Sequence, residues 1–133
     1  VDCVAFDRSG CVILVKRRNP PFQSCLALPG GFVEIGETVE NACRREFHEE
    51  TCLNSGELDL VGVYSDPRRD PRGHVVSIAF ATVIEHGLPK AGDDAEQAKW
   101  VRDWSKTSLA FDHRQILMDA ARSMMQRRKI QPP

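Results

Sequence analysis

The sequence predicts an α/β domain, a mixed β-sheet covered by helices, on three observations. Runs rich in β-branched and aromatic residues recur at Val1 to Phe6, Cys11 to Arg17, Leu58 to Tyr64 and Val75 to Ile84. Two segments, Thr38 to about Thr51 and Asp112 onward, instead repeat apolar residues at the helical three- and four-residue spacing. The two patterns interleave along 133 residues, room for one core and not two, so residues 1–133 read as a single domain.

In chain order, Val1 to Phe6 and Cys11 to Arg17 flank the turn-forming Asp7-Arg8-Ser9-Gly10 and predict a hairpin. Asn19-Pro20-Pro21 and Pro29-Gly30-Gly31 then break the chain, which makes Lys16 to Glu37 mainly loop, where function concentrates. Thr38 is a candidate N-cap for a helix whose inward stripe is Val39, Ala42, Cys43 and Phe47. Leu58 to Tyr64 and Val75 to Ile84 are strands joined by a polar loop, and Lys99 to Trp104 adds a short one. The last helix begins at Asp112, where Gln115 three residues on completes a capping box ahead of Ile116, Leu117, Ala120, Ala121 and Met124. Arg127, Arg128 and Lys129 suit its C-terminal dipole end.

Composition narrows the function classes. Lys plus Arg total 18 against 19 Asp plus Glu, so a net charge of -1 offers no global field for nucleic acid or an anionic membrane, and any phosphate preference must be local. The longest apolar stretch, Val75 to Ile84, falls well short of the roughly 20 residues that span a bilayer. The sequence opens at Val1 without a charged-then-apolar signal segment, and the expected location is cytoplasmic. Five cysteines, an odd number with no C-x-x-C pair, read as buried reduced thiols.

The chemistry is concentrated on the first helix. Glu46, Glu49 and Glu50 lie at i, i+3 and i+4, so Glu46 neighbours both others, and like charges at that spacing repel by a few tenths of a kcal/mol per pair. Alone, such a triplet is usually a solvated face; a cation converts the repulsion into ligation, and hard oxygen donors suit Mg²⁺ or Mn²⁺. Arg45 stands four residues before Glu49, placed to fix its direction, and the Gly30-Gly31 turn brings exposed backbone near the helix.

Gly31, five residues, Glu37, seven residues, Arg45-Glu46, Phe47-His48, Glu49-Glu50, Thr51 and Cys52-Leu53 resemble the Nudix box over 23 residues, with every charged position in place. The resemblance implies a Nudix-like α/β/α sandwich and a metal-dependent pyrophosphatase. It implies that Glu46 and Glu50 ligate divalent ions, that Glu49 assists as ligand or base, that the Gly30 carbonyl adds an oxygen, that Arg45 orients a glutamate and that Glu37 supports the loop. One departure is Cys52, where the family normally has the Gly that ends the helix; Cys52 is penalised if its backbone is left-handed.

Tyr64 to His74 carries three arginines interrupted by two Asp-Pro turns, a stiff loop whose guanidinium forks suit phosphate. On composition alone, a solvated loop of internal Arg-Asp pairs comes first. Ser65-Asp66-Pro67-Arg68-Arg69-Asp70-Pro71-Arg72-Gly73-His74, however, is similar to a segment of Nudix ADP-ribose pyrophosphatases, as are Lys16 to Phe22, Leu28 to Glu34 and Leu109 to His113. That resemblance implies hydrolysis of ADP-ribose to AMP and ribose 5-phosphate, with Arg17, Arg18, Arg69, Arg72 and His74 as substrate-binding candidates. It also makes a homodimer the expected assembly. A second departure is Gln97, where this group commonly has Glu; Gln cannot act as a base, which leaves Glu96, Asp93, Asp94 or Glu49 for that task, although an exposed turn suits Asp93, Asp94 and Glu96 equally well.

The remaining histidines lack metal-ligand spacing, and His48, His86 and His113 read as surface or hydrogen-bonding residues. Trp100 and Trp104 read as packing residues. Two alternatives stand beside the ADP-ribose reading: the same chemistry on another nucleoside diphosphate derivative or a nucleoside triphosphate, and a catalytically weak nucleotide-binding module, suggested by Gln97 and Cys52. These residues contain no winged-helix segment, which reads against a regulator.

Overall fold

A computed structural model describes residues 1–92 and 95–132. In order come β1 (Asp2–Phe6), β2 (Val12–Arg17), β3 (Leu26–Ala27), α1 (Val39–Thr51), β4 (Asp59–Tyr64), β5 (Ser77–Val83), β6 (Ala95–Val101), a 3-10 turn at Trp104–Lys106 and α2 (His113–Gln126). The sheet runs β3-β2-β1-β5-β4, and β6 also pairs with β2. It is mixed, since β1 and β5 are parallel and the other pairs antiparallel.

Alternate residues of the central strands face opposite helices. Cys3, Ala5, Ile13 and Phe80 pack with Ala42, Cys43 and Phe47 of α1. Val4, Phe6, Val12, Leu14, Ala79 and Ala81 pack with Ile116, Leu117, Ala120, Ala121 and Met124 of α2. That two-sided burial makes every residue of β1 buried and produces the expected α/β/α sandwich.

The β1–β2 hairpin forms but opens after one pair, Phe6 opposite Val12. Into this opening runs the segment ending in the glycine pair: the Cys3 N–H donates to Pro29 O at 2.8 Å, and Gly30 bridges Asp2. A Cβ on Gly30 would stand 2.3 Å from the Val1 carbonyl oxygen, so only glycine lets the backbone approach this closely.

Several expectations change. The strand expected at Lys99 starts at Ala95 and ends at Val101, because pairing along the whole of β2 outweighs the weak strand preference of Glu96, Gln97 and Lys99. Trp104 lies in the 3-10 turn and donates to Gly10 O at 2.8 Å. α2 lacks its capping box: Asp112 makes no side-chain cap bond because Arg69 takes its carboxylate, and the Gln115 amide donates to Asp119. Lys129 and Arg127 reach Asp59 at 2.6 and 3.5 Å. All five cysteines are free, but only Cys3, Cys11 and Cys43 are buried; Cys25 and Cys52 are exposed. Among the described residues no helix is long and apolar enough to cross a membrane.

Candidate active site

Thr38 caps α1, its hydroxyl accepting the Asn41 N–H at 3.1 Å, and the inward stripe of Ala42, Cys43 and Phe47 fixes the helix's rotation against the sheet. The glutamates are thereby turned to one edge of the sandwich, with Arg45 at their centre. Its guanidinium donates to Glu37 at 2.7 and 3.0 Å, to Glu46 at 2.7 Å, to Glu49 at 3.2 Å and to the Phe32 carbonyl at 3.0 Å. The expected Arg45–Glu49 pair is present, and Glu37 and Glu46 are held more closely. Hydrogen bonds from Arg45, and then from the Glu34 N–H, bring the Glu37 carboxyl down to about 2. Glu46 is displaced the other way: burial, joined by the neighbouring Glu49 charge, raises its pKa against the pull of Arg45.

Glu50 turns toward the glycine pair and accepts the Gly30 N–H at 2.9 Å. Gly31 lies under Glu46, where an added Cβ would stand 2.3 Å from the carboxyl carbon. Among the described residues no three acidic, histidine or cysteine side chains converge as they stand to enclose a metal, since Arg45 draws Glu46 and Glu49 and Gly30 draws Glu50. The donor set nevertheless fits a hard divalent cation: Glu46 and Glu50 offer carboxylate oxygens to one cleft, and the single Arg45 guanidinium is shared among Glu37, Glu46 and Glu49.

That cleft, about 470 Å³, is also lined by Arg17, Arg18, Gly30, Gly31, Phe32 and Arg72. A second cavity of about 260 Å³ adjoins it through Arg17, Gly30, Gly31, Phe32, Val33 and Arg72, which line both. Its remaining wall includes Asp2, Arg69, Val75, Ser77, Ile78, Phe111 and His113. The two form one groove from the glutamates to the start of α2.

The structure thus brings Gly30, Glu46, Glu50, Arg17, Arg18 and Arg72 together and keeps Arg45 and Glu49 beside them. Arg69 reaches the second cavity, but its guanidinium is spent on Asp112 at 2.9 and 2.7 Å and on the Val75 carbonyl. His74 lines neither cavity; its Nε2 contacts the Ser65 carbonyl at 2.9 Å. Glu96 lines neither, lying 3.7 Å from Lys16, and Gln97 sits in β6 opposite Lys16. Asp93 and Asp94 lie outside the described residues.

Sequence reasoning missed Asp2, and it assigned His113 only a generic hydrogen-bonding role. Both are buried: His113 Nδ1 accepts the Leu28 N–H at 3.0 Å and its Nε2 lies 3.3 Å from Asp2, which also takes the Ser77 hydroxyl at 2.5 Å. This ties α2 to the segment leading into the glycine pair. The residues come from opposite ends of the chain, so no local pattern pairs them. Phe111 was missed too; its one signal was membership of the Leu109 to His113 segment.

The fold and the carboxylate site define a pyrophosphatase-type domain, and the NUDIX domain model matches residues 1–120. The chain belongs to that family. It is 51% identical over 116 residues to the ADP-ribose pyrophosphatase of Methanocaldococcus jannaschii, covering 87% of this chain and 69% of that one. It is 35% identical over 115 residues to the ADPR responsive transcriptional repressor NtrR of Acinetobacter baylyi, covering 82% of this chain and 46% of the repressor, so it spans less than half of that relative's length. Among solved structures, the NUDIX domain of Shewanella oneidensis NrtR complexed with ADP ribose superposes with a TM-score of 0.86 at 27% identity, covering 92% of this chain and 85% of that one.

Proposed function

We propose that this domain hydrolyses the pyrophosphate of ADP-ribose to AMP and ribose 5-phosphate, with Mg²⁺ or Mn²⁺ held by Glu46 and Glu50 and assisted by Glu49 and the Gly30 carbonyl. The observation that carries the reading is the shared cleft, in which Glu46 and Glu50 stand with Arg17, Arg18 and Arg72. The names of the archaeal relative and of the ADP-ribose-bound neighbour support the substrate.

A divalent ion on these carboxylates supplies charge neutralisation of the pyrophosphate and a water of lowered pKa. Arg17, Arg18 and Arg72 bind phosphate oxygens, and Arg45 keeps Glu46 and Glu49 pointed into place. The Glu49 carboxylate, to which Arg45 donates at 3.2 Å, takes the proton of the attacking water, while Glu96 lies against Lys16 at 3.7 Å. Five free thiols suit the reducing cytoplasm as its compartment.

Glu50→Gln tests the reading. The amide oxygen still accepts the Gly30 N–H, so the fold persists while turnover of ADP-ribose, followed as AMP and ribose 5-phosphate, falls nearly to background. Wild-type turnover in this variant overturns the ligand assignment. A second reading, an ADP-ribose-sensing module without turnover, is favoured by Gln97 and by the repressor relative. ADP-ribose binding with no product in saturating Mg²⁺ or Mn²⁺ selects it.

A further inference from the structure

A buried run of hydrogen bonds leads from the sheet to the segment that carries Gly30. The Ser77 hydroxyl donates to Asp2, Asp2 faces His113 Nε2 at 3.3 Å, and His113 Nδ1 accepts the Leu28 N–H at 3.0 Å. A backbone N–H can only donate, so Nδ1 is the acceptor and the imidazole carries its proton on Nε2, pointed at the Asp2 carboxylate. Asp2 therefore selects the one tautomer that can hold Leu28. His113 is 5% and Asp2 7% exposed, so water competes little for these bonds.

From Leu28 to Gly30 the chain has little freedom of its own. Pro29 has a locked φ and confines Leu28 to extended backbone; it is fully buried, and its carbonyl takes the Cys3 N–H at 2.8 Å. Anchoring the Leu28 N–H consequently sets where the soft Gly30-Gly31 pair begins. The next bond along, from the Gly30 N–H to Glu50, rests on a carboxylate that a cation also draws, and is the weaker hold. Asp2 adds a direct contact, since a Cβ on Gly30 would stand 2.7 Å from its Oδ1. On the other side, Asp112, the residue before His113, is clamped by Arg69. The glycine segment and the arginine loop are thus anchored to adjacent residues at the start of α2.

We propose that His113 is a positioning residue for the Gly30 carbonyl, with Asp2 setting its tautomer, so that the start of α2 fixes a backbone oxygen at the metal end of the groove. This rests on the reading of Gly30, Glu46 and Glu50 as ligands of a divalent cation. His113 acts through the backbone and not as a ligand. Hydrogen-bond partners that stand behind a metal ligand are worth roughly 10–100-fold in metal affinity, so its loss should fall on the cation before the substrate.

The test separates the two ring nitrogens. In His113→Asn the side-chain amide oxygen stands where Nδ1 does and keeps an acceptor for the Leu28 N–H; in His113→Gln the amide reaches the Nε2 position, which keeps the contact with Asp2 and leaves Leu28 without an acceptor. Mn²⁺ binding in the absence of substrate, followed by electron paramagnetic resonance, should weaken about ten-fold or more in His113→Gln and stay within about three-fold of wild type in His113→Asn. The Mg²⁺ activation constant for ADP-ribose hydrolysis should follow, while KM at saturating Mg²⁺ stays within about two-fold. Deuterium exchange of the Leu28 amide should accelerate in His113→Gln alone. Wild-type Mn²⁺ affinity in His113→Gln, or affinities that track the urea stability of the variants and not the Leu28 acceptor, overturn the inference. Nitrogen NMR of the wild-type imidazole tests it without any variant: the Nε2–H tautomer is expected, and an Nδ1–H tautomer overturns it. Wild type that binds no Mn²⁺ overturns the metal reading itself, and this inference with it.

Discussion

The guanidinium of Arg69 holds the carboxylate of Asp112 through two bonds, Nε to Oδ2 at 2.9 Å and Nη2 to Oδ1 at 2.7 Å, with the arginine side chain 5% exposed. One loop arginine thus docks the β4–β5 loop onto the start of α2, while Arg72, three residues on, faces the groove. Removing one partner of a buried pair leaves the other charge uncompensated, which costs about 3 kcal/mol. Arg69→Met should therefore lower Tm by on the order of 10 °C. Arg72→Lys, which keeps a positive charge beside the buried Asp70 but loses the guanidinium fork, should change stability by less than about 1 kcal/mol and act on KM. Thermal unfolding beside steady-state kinetics checks both; equal stability losses in the two variants contradict this division.

Gly31→Ala separates site geometry from stability. The new methyl meets the Glu46 carboxylate, its nearest atoms 2.3 to 2.6 Å away, and that group is the far end of a flexible chain that can swing aside. Stability should fall by less than about 1 kcal/mol, whereas a carboxylate moved off its position should reduce kcat/KM by about 100-fold. Circular dichroism, a urea titration and the ADP-ribose assay measure the two effects. Normal turnover in Gly31→Ala means that the placement of Glu46 over Gly31 is not needed for the reaction.

These two cases show where the sequence was legible. α1, its Thr38 cap and the Glu46, Glu49, Glu50 and Arg45 set could be read because helical spacing within a few residues determines which side chains are neighbours. β6 was misplaced because its residues carry weak strand preference and owe their conformation to pairing with β2. The capping box failed for a related reason: Asp112 had a local role on paper, but a buried arginine 43 positions away competes for the same carboxylate. Arg69 and Arg72 look alike in a string of loop residues, and only the fold turns one to the interior. The Asp2–His113 pair, joined through strand order alone, was out of reach.

Cys52 closes α1 with φ +60°, its N–H donating to the His48 carbonyl. A non-glycine residue there bears roughly 1–2 kcal/mol of steric cost, part of which glycine's greater freedom in the unfolded chain offsets. Cys52→Gly should raise stability by about 0.5–1 kcal/mol with activity unchanged. Cys52→Ala is the control, since it removes the thiol and keeps the strain. Chemical denaturation of the three proteins reads the difference, and Ala matching Gly means that the thiol, not the backbone, sets the effect.

Asp2 links the site's scaffold to pH. Burial by itself raises its pKa, but His113 and the Ser77 hydroxyl outweigh that and bring it from 3.8 down to about 2. A carboxylate with a depressed folded-state pKa contributes stability that is present above the unfolded value and is lost as pH falls through the folded one. Here the contribution is about 2 kcal/mol at neutral pH, most of it disappearing between pH 4 and pH 2. Asp2→Asn cannot titrate, so the stability gap between wild type and Asp2→Asn, from urea unfolding at a series of pH values, should be level from pH 7 to 5 and narrow by about 2 kcal/mol at pH 2. A gap that stays constant across that range means that the bonds from His113 and Ser77 to Asp2 do not favour its charged form.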